Sequence, residues 1–291
     1  MSTINTTPAV KKKFDVVDLL ISFLPLIIMV CLLTAATIPA IIVGIYQMRQ
    51  DGTLDIQNTS ELLASPEAQT ALAIGFIGYA VITIVIFFFW YKKAFLKKQI
   101  KLGNKEVFSV KKVILAIVLI LGTSAVINLG LSAVDAIAPS VIESYSETMD
   151  SAGLGSNLVI TLIYACILGP IAEELMFRGV TQAYIRKSGL PAAAVIIITA
   201  VLFGIAHMNP VQSTYATVFG LSLGLLRHKY GNIRITSLAH IVFNVFGTYG
   251  VALIAAMNLP DIATYIIFAI LAVAGIVAAV FICKEPVTKI D

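Results

Sequence analysis

The stretch Gly169-Pro170-Ile171-Ala172-Glu173-Glu174-Leu175-Met176-Phe177-Arg178-Gly179 places two adjacent carboxylates and a guanidinium within six residues of otherwise apolar chain. It lies inside an apolar run near residues 158–185, and about 20 such residues suffice to cross a bilayer as a helix. Ionisable groups in a span cost several kcal/mol unless paired or hydrated, so they mark a functional site by default. Glu174 and Arg178 are four apart, a spacing that puts them on one helical face and lets an ion pair neutralise both. Glu173 points about 100° away from its neighbour. It has no comparable partner nearby in sequence, and a partly desolvated carboxylate suits general-base work near neutral pH.

The surrounding chain has the composition of lipid-facing protein. Its 291 residues are 59% hydrophobic and only 12% charged, with a mean hydropathy of +0.96. Globular chains carry about 25% charged residues, so too few charges remain to cover a water-facing surface. A soluble Rossmann enzyme, a nucleic-acid-binding domain and a disordered tail are excluded, and the net charge of +4 needs no nucleic acid to explain it. Eight apolar runs lie near residues 18–46, 69–90, 113–137, 158–185, 191–208, 211–227, 235–257 and 262–282. They predict an all-α, polytopic transmembrane bundle. The first and fourth runs are long and carry breakers, Pro25 and Pro39 in one and Gly169-Pro170 in the other, where a kink or a divided helix is expected.

Charge in the loops alternates. Lys11, Lys12 and Lys13 precede the first run, and Lys92, Lys93, Lys97, Lys98, Lys101, Lys105, Lys111 and Lys112 follow the second. Arg186 and Lys187 follow the fourth, Arg227, Lys229 and Arg234 the sixth, and Lys284 and Lys289 the eighth. On this reading 18 of the 20 basic residues share one side, Arg49 is on the other, and Arg178 is the single basic residue within a span. The positive-inside rule then puts both termini in the cytoplasm. The opposite loops carry Asp51, Asp55, Glu61, Glu67, Glu143, Glu147, Asp150 and Asp261. The first apolar run lacks a small-residue cleavage site and reads as a retained anchor. Tyr46, Trp90, Tyr91 and Tyr230 fall near the expected boundaries, where amphipathic rings settle. Cys31, Cys166 and Cys283 have no CxxC spacing and read as packing residues. His228, between Arg227 and Lys229, reads as a loop residue on the basic side. Residues 1–150 form an N-terminal membrane part with three spans and the Lys-rich loop, and residues 151–291 a core with five spans that holds nearly all the chemistry.

Two further runs add polar groups to that core. The fifth ends Phe203-Gly204-Ile205-Ala206-His207, and the seventh carries His240-Ile241-Val242-Phe243-Asn244. Phe203 and His207 share one helical face, and His240 and Asn244 another. A lone histidine or asparagine in a membrane helix usually serves as an interhelical hydrogen-bonding group. A carboxylate, two imidazoles and a carboxamide on successive spans go beyond that.

Glu-Glu-x-x-x-Arg, then Phe-x-x-x-His, then His-x-x-x-Asn, in this order on successive hydrophobic runs, resembles the CPBP family, the CAAX proteases and bacteriocin-processing enzymes also called the Abi family. These are intramembrane endopeptidases. The resemblance covers roughly residues 158–250. It implies that Glu173 and His207 bind and activate a water, with Glu173 as general base and then acid. It further implies that His240 and Asn244 face the developing oxyanion, that Glu174 and Arg178 fix the helix carrying Glu173, and that Phe203 packs beside His207. A metal remains open, since His207, His240 and Glu173 or Glu174 would make a two-His, one-carboxylate set for Zn²⁺. No His-Glu-x-x-His helix is present. The expected substrate is a membrane-associated peptide or protein, lipidated or of bacteriocin or signal-peptide type, and the expected location is a bacterial cell membrane. A proton-coupled transporter built on the same buried groups, or a non-catalytic immunity or scaffold protein, are the competing functions.

Depth offers an internal check. Glu173 and His207 are equally far from residue 190, so a hairpin turning there sets both about 25 Å from the turn at 1.5 Å per residue. His240, counted from a loop near 230, would sit only about 15 Å in. The gap has to be closed by the Gly169-Pro170 break, a short sixth span or a dipping loop.

Overall fold

The computed structural model describes residues 13–52, 62–63, 65–96, 103–151 and 162–288. Lys11, Lys12, Asp55, Glu61, Lys97, Lys98, Lys101, Lys289 and the expected start of the fourth run at 158–161 lie outside the described residues. Within them every regular element is helical.

The first apolar run divides where Pro25 predicts. A short helix α1 (Val16–Ile21), capped by the Asp15 carboxylate, ends at Ser22 and Phe23, and α2 (Leu24–Gln50) begins with Pro25 in its first turn. Pro39 stays inside α2 without ending it. Helix α3 (Pro66–Ala94), capped by Ser65, packs along α2. A single helical turn α4 (Asn104–Val107) leads into α5 (Val110–Ile137). Glu143, Glu147 and Asp150, expected in a loop between the third and fourth runs, lie on a helix, α6 (Pro139–Ser151).

The fourth run is continuous but not uniform. A π-helical turn π1 (Tyr164–Leu168) passes into α7 (Gly169–Glu174), then a second π segment π2 (Leu175–Thr181), then α8 (Gln182–Lys187). Pro170 sits in the first turn of α7, so the expected break is met by a change of winding rather than by a gap. A tight turn at Ser188 and Gly189 leads to α9 (Ala192–Ile205), and the Asn209 side chain caps α10 (Pro210–Tyr230). Gly231, left-handed at φ 66°, ends α10. Asn232 then caps α11 (Ile233–Val245), which continues through π3 (Phe246–Gly250) into α12 (Val251–Ala256). Helix α13 (Asp261–Lys284) closes the chain against α5.

These are the eight expected runs, displaced at their ends by a few residues. Five of them are long and apolar enough to cross a membrane: Val16–Gln50, Pro66–Ala94, Val110–Ile137, Ile233–Ala256 and Asp261–Lys284. Helix α9 has only 14 residues, π2 carries Arg178, and α10 carries Gln212, Ser213, Thr214, Arg227, His228 and Lys229. The runs that fall short in length or apolarity are the ones that build the interior of the second half.

Surface and interior are inverted relative to a water-soluble protein. Ile262, Ile270, Val273 and Ile276 on α13 face outward, whereas Glu174, Arg178 and Arg227 are buried. The two central hairpin helices touch at small residues: a Cβ at Gly204 would collide with Thr217 and with the backbone of Ser213, and one at Gly220 would meet Ala200. At one end of the bundle α1 is tied back to α8, with Asp15 N–H donating to the Ser188 carbonyl at 2.9 Å and Lys187 Nζ 2.6 Å from the buried Asp18 carboxylate. That hydrogen bond holds the Lys187 ammonium above the ordinary lysine range.

Candidate active site

Helices from both halves of the chain converge on one cavity of about 530 Å³, and Glu173, His207, His240 and Asn244 all line it. Glu173 projects into it from α7, with about a quarter of its side chain accessible (27%). Glu174, one residue on, is turned into the protein and fully buried, as the 100° step between neighbours dictates. Arg178 Nη1 donates to Glu174 Oε1 at 2.8 Å, and its Nη2 donates to the Gly220 carbonyl at 3.3 Å. The pair is buried on both sides, where a charge survives only with such a partner.

His240 reaches this depth. Its Nδ1 lies 3.0 Å from Glu174 Oε1 and its Nε2 lies 3.7 Å from Glu173 Oε2. The carboxylate paired with Arg178 accepts from Nδ1–H, which leaves Nε2 turned toward Glu173. The depth gap is not closed by a short sixth run, since α10 has 21 residues. Helix α11 starts from a two-residue link after α10 and packs on α7, which brings His240 onto the two carboxylates.

His207 lies just past the end of α9, in the turn that leads to the cap at Asn209. Its Nδ1 is 2.9 Å from the Phe203 carbonyl. A carbonyl only accepts, so Nδ1 carries the proton and Nε2 keeps its lone pair in the neutral ring. Met208, beside it, takes a left-handed φ of 54°, a conformation that costs a non-glycine residue of order 1 kcal/mol. Phe203 does more than flank His207. Its ring packs edge-on against Phe177, His207 and His240, and the Arg178 guanidinium lies 4.4 Å from its centroid.

Asn244 is already engaged: its Nδ2 donates to the Ala165 carbonyl in π1 at 2.6 Å. The residue five on from Ala165 is Pro170, which has no N–H to give that carbonyl, and the second Nδ2 hydrogen remains for another acceptor. His240 Nε2 and Glu173 Oε2 could share an ion, but among the described residues no three His, Cys, Asp or Glu side chains gather closely enough to hold one. The donor set does not fit a resident zinc ion, which takes at least three protein ligands.

Sequence reading missed several neighbours. Tyr79, Tyr145, Tyr164 and Tyr215 line the cavity, with the Tyr145 and Tyr215 hydroxyls hydrogen-bonded at 2.9 Å across α6 and α10. Phe219 stacks on Phe243 and meets His240 edge-on. Tyr215 and Phe219 are four apart in α10, so their shared face was present in the sequence without any charge to draw attention to it.

Three expectations need correction. Arg227 is not a loop residue: it is 3% exposed within α10, its Nε donates to the Arg178 carbonyl at 3.2 Å and its Nη2 to the Tyr91 hydroxyl at 3.3 Å. Arg178 is therefore not the single internal basic residue. Tyr91 and Tyr230 are not lipid-facing rings: both are buried, because α3 and α10 turn those faces into the bundle. His228 belongs to the last turn of α10 and lines a second, smaller cavity. Cys31, Cys166 and Cys283 are free.

Fold and site define an integral membrane protein in which apolar helices hold a cluster of ionisable side chains around a cavity. Residues 155–246, the segment with all three motifs, match the family described as type II CAAX prenyl endopeptidase, Rce1-like. The match covers about a third of the chain and falls on the segment whose motifs resemble the CAAX proteases. No curated protein and no solved structure matches the chain.

Proposed function

We propose that the chain is an intramembrane endopeptidase that hydrolyses a peptide bond of a membrane-associated substrate with a water activated by Glu173 and His207. The observation that carries the reading is the Glu173 carboxylate facing the cavity it shares with His207, while its neighbour Glu174 is consumed by Arg178 and His240. Two adjacent carboxylates thus have different environments, one accessible and one committed to structure, as acid–base work by a single group requires.

In the proposed cycle a water donates one hydrogen bond to His207 Nε2 and passes its other proton to Glu173 as its oxygen attacks the scissile carbonyl carbon. The C–O bond forms, the carbonyl electron pair moves to oxygen, and the resulting oxyanion takes hydrogen bonds from His240 Nε2–H and from the free Nδ2 hydrogen of Asn244. Collapse breaks the C–N bond, and Glu173 returns its proton to the departing amine. The Glu174 carboxylate, 3.0 Å from Nδ1, holds the His240 ring with Nε2 turned into the site. General acid–base catalysis of this kind contributes about 10²–10⁴-fold, and one oxyanion donor about 10²–10³-fold.

The apolar cavity wall and the family's name together favour lipidated peptides, prenylated ones among them, as the first substrates to try. Processing of a bacteriocin or a peptide signal is the corresponding use in a bacterial membrane. The eight runs are read as eight crossings with both termini on the basic side. The deciding experiment is cleavage of lipidated and membrane peptides by the purified protein in lipid, comparing wild type with Glu173→Gln and with chelator added. Glu173→Gln is expected to lose at least about 10²-fold in rate while remaining folded. Full activity in that variant overturns the mechanism, and loss with chelator reassigns the water to a metal.

A further inference from the structure

The second cavity, about 240 Å³, lies between α8, the start of α9 and the end of α10. Its polar lining is Arg178, Gln182, Arg186, Arg227 and His228, and no carboxylate lines it among the described residues. The rest of its wall is apolar, from Leu190, Val195, Ile196 and their neighbours. Buried polar atoms in this lining without a hydrogen-bond partner include Arg178 Nε, on a side chain that is 0% exposed, and Gln182 Oε1, on one that is 5% exposed. The Gln182 amide nitrogen is spent on the Gly224 carbonyl at 3.3 Å, which fixes Oε1 as the acceptor left over. A buried donor without an acceptor and a buried acceptor without a donor each carry a desolvation cost that a ligand would remove.

We propose that this cavity binds the headgroup of an acidic phospholipid, the phosphate against the arginines and a headgroup hydroxyl on Gln182 Oε1. The chemistry matches in three respects. Guanidinium groups are suited to phosphate oxygens, a hydroxyl-bearing headgroup supplies the donor that Gln182 lacks, and the apolar half of the wall suits the start of an acyl chain. Basic pockets between membrane helices near the headgroup level bind such lipids, and Arg186, Lys187 and Lys229 mark this end of the bundle as basic. The site is separate from the Glu173 cavity, which neither Arg186 nor His228 lines, so it stands independently of the peptidase reading. Arg178 joins the two. It lines this cavity and holds Glu174, which in turn holds His240. A bound phosphate would therefore bear directly on the base of the candidate active site.

The test uses the full chain in neutral detergent. Binding and thermal unfolding are followed with phosphatidylglycerol, with phosphatidylcholine, and with inorganic phosphate at matched ionic strength. Phosphatidylglycerol is expected to bind and raise the unfolding midpoint where phosphatidylcholine does not. The Arg186→Ala, His228→Ala double variant should bind it about tenfold more weakly, the loss expected for a charge-assisted contact. Arg186→Gln, at a partly exposed position, serves if the double variant does not fold. Lys105→Ala, a basic residue outside the cavity, should bind as wild type. Equal binding of the two lipids, wild-type affinity in the Arg186 variants, or an equal loss in Lys105→Ala would overturn the proposal. A full response to inorganic phosphate alone would replace the lipid with a free anion.

Discussion

At the scale of the residue, Glu173 and Glu174 show how one step along a helix separates two roles. Identical side chains, 100° apart, meet a cavity in one case and an arginine with a histidine in the other. Their substitutions should differ in kind. Glu174→Gln leaves Arg178 buried without its counter-ion, and breaking a buried pair costs about 3–5 kcal/mol, so folded protein in membranes should fall. Asn244→Ala loses the single bond to the Ala165 carbonyl, about 1 kcal/mol, and should lower the cleavage rate about 10²–10³-fold. Thermal unfolding measured beside peptidase activity separates the two, and equal loss of stability in both would refute the division of roles. The Glu174 and Arg178 pairing was legible from the four-residue spacing. The burial of Arg227 was not, because Arg227-His228-Lys229 reads as a run of charge at a membrane boundary, and only the packing of α3 and π2 around α10 brings its guanidinium onto the Arg178 carbonyl and the Tyr91 hydroxyl.

Among the elements, π winding and close helix contact do the positioning. Pro170 leaves the Ala165 carbonyl of π1 without a backbone donor, and Asn244 takes it, while Glu174 of α7 meets His240 of α11. Hydrophobic patterning located the fourth run and its breakers but carried no sign of π turns, which depend on how side chains from neighbouring helices insert into the ladder. The α9 and α10 hairpin carries Phe203, His207 and Phe219, and it is set by glycine contacts. Gly204→Val would push a branched side chain into Thr217 and the Ser213 backbone. The expected outcome is loss of folded protein and of activity together, scored by size-exclusion chromatography in detergent. Wild-type behaviour would show that the hairpin tolerates a wider separation. By contrast the composition of α6, dominated by Glu143, Glu147 and Asp150, reads as an acidic loop. It is helical, and places Tyr145 against Tyr215 at the cavity wall.

For the molecule as a whole, lipid is the solvent that makes the arrangement consistent: apolar side chains face out, and the few charges inside are matched to partners. Eight crossings require both termini on one side of the membrane. Impermeant thiol labelling of single cysteines introduced at Asp15 and Glu285 in intact cells should give the same accessibility at both, and opposite results would require an odd number of crossings. The sequence by itself determined the solvent, the helical class, the position of the eight runs and the residues that violate their apolar surroundings. It did so because hydropathy and helical spacing are local properties of the chain. Only the tertiary structure decided that His240 reaches Glu174, that Asn244 is held by π1, that Arg227 is interior, and that a basic cavity lies behind Arg178. These depend on the winding and relative depth of helices distant in sequence, and no local pattern encodes how far one helix slides past another.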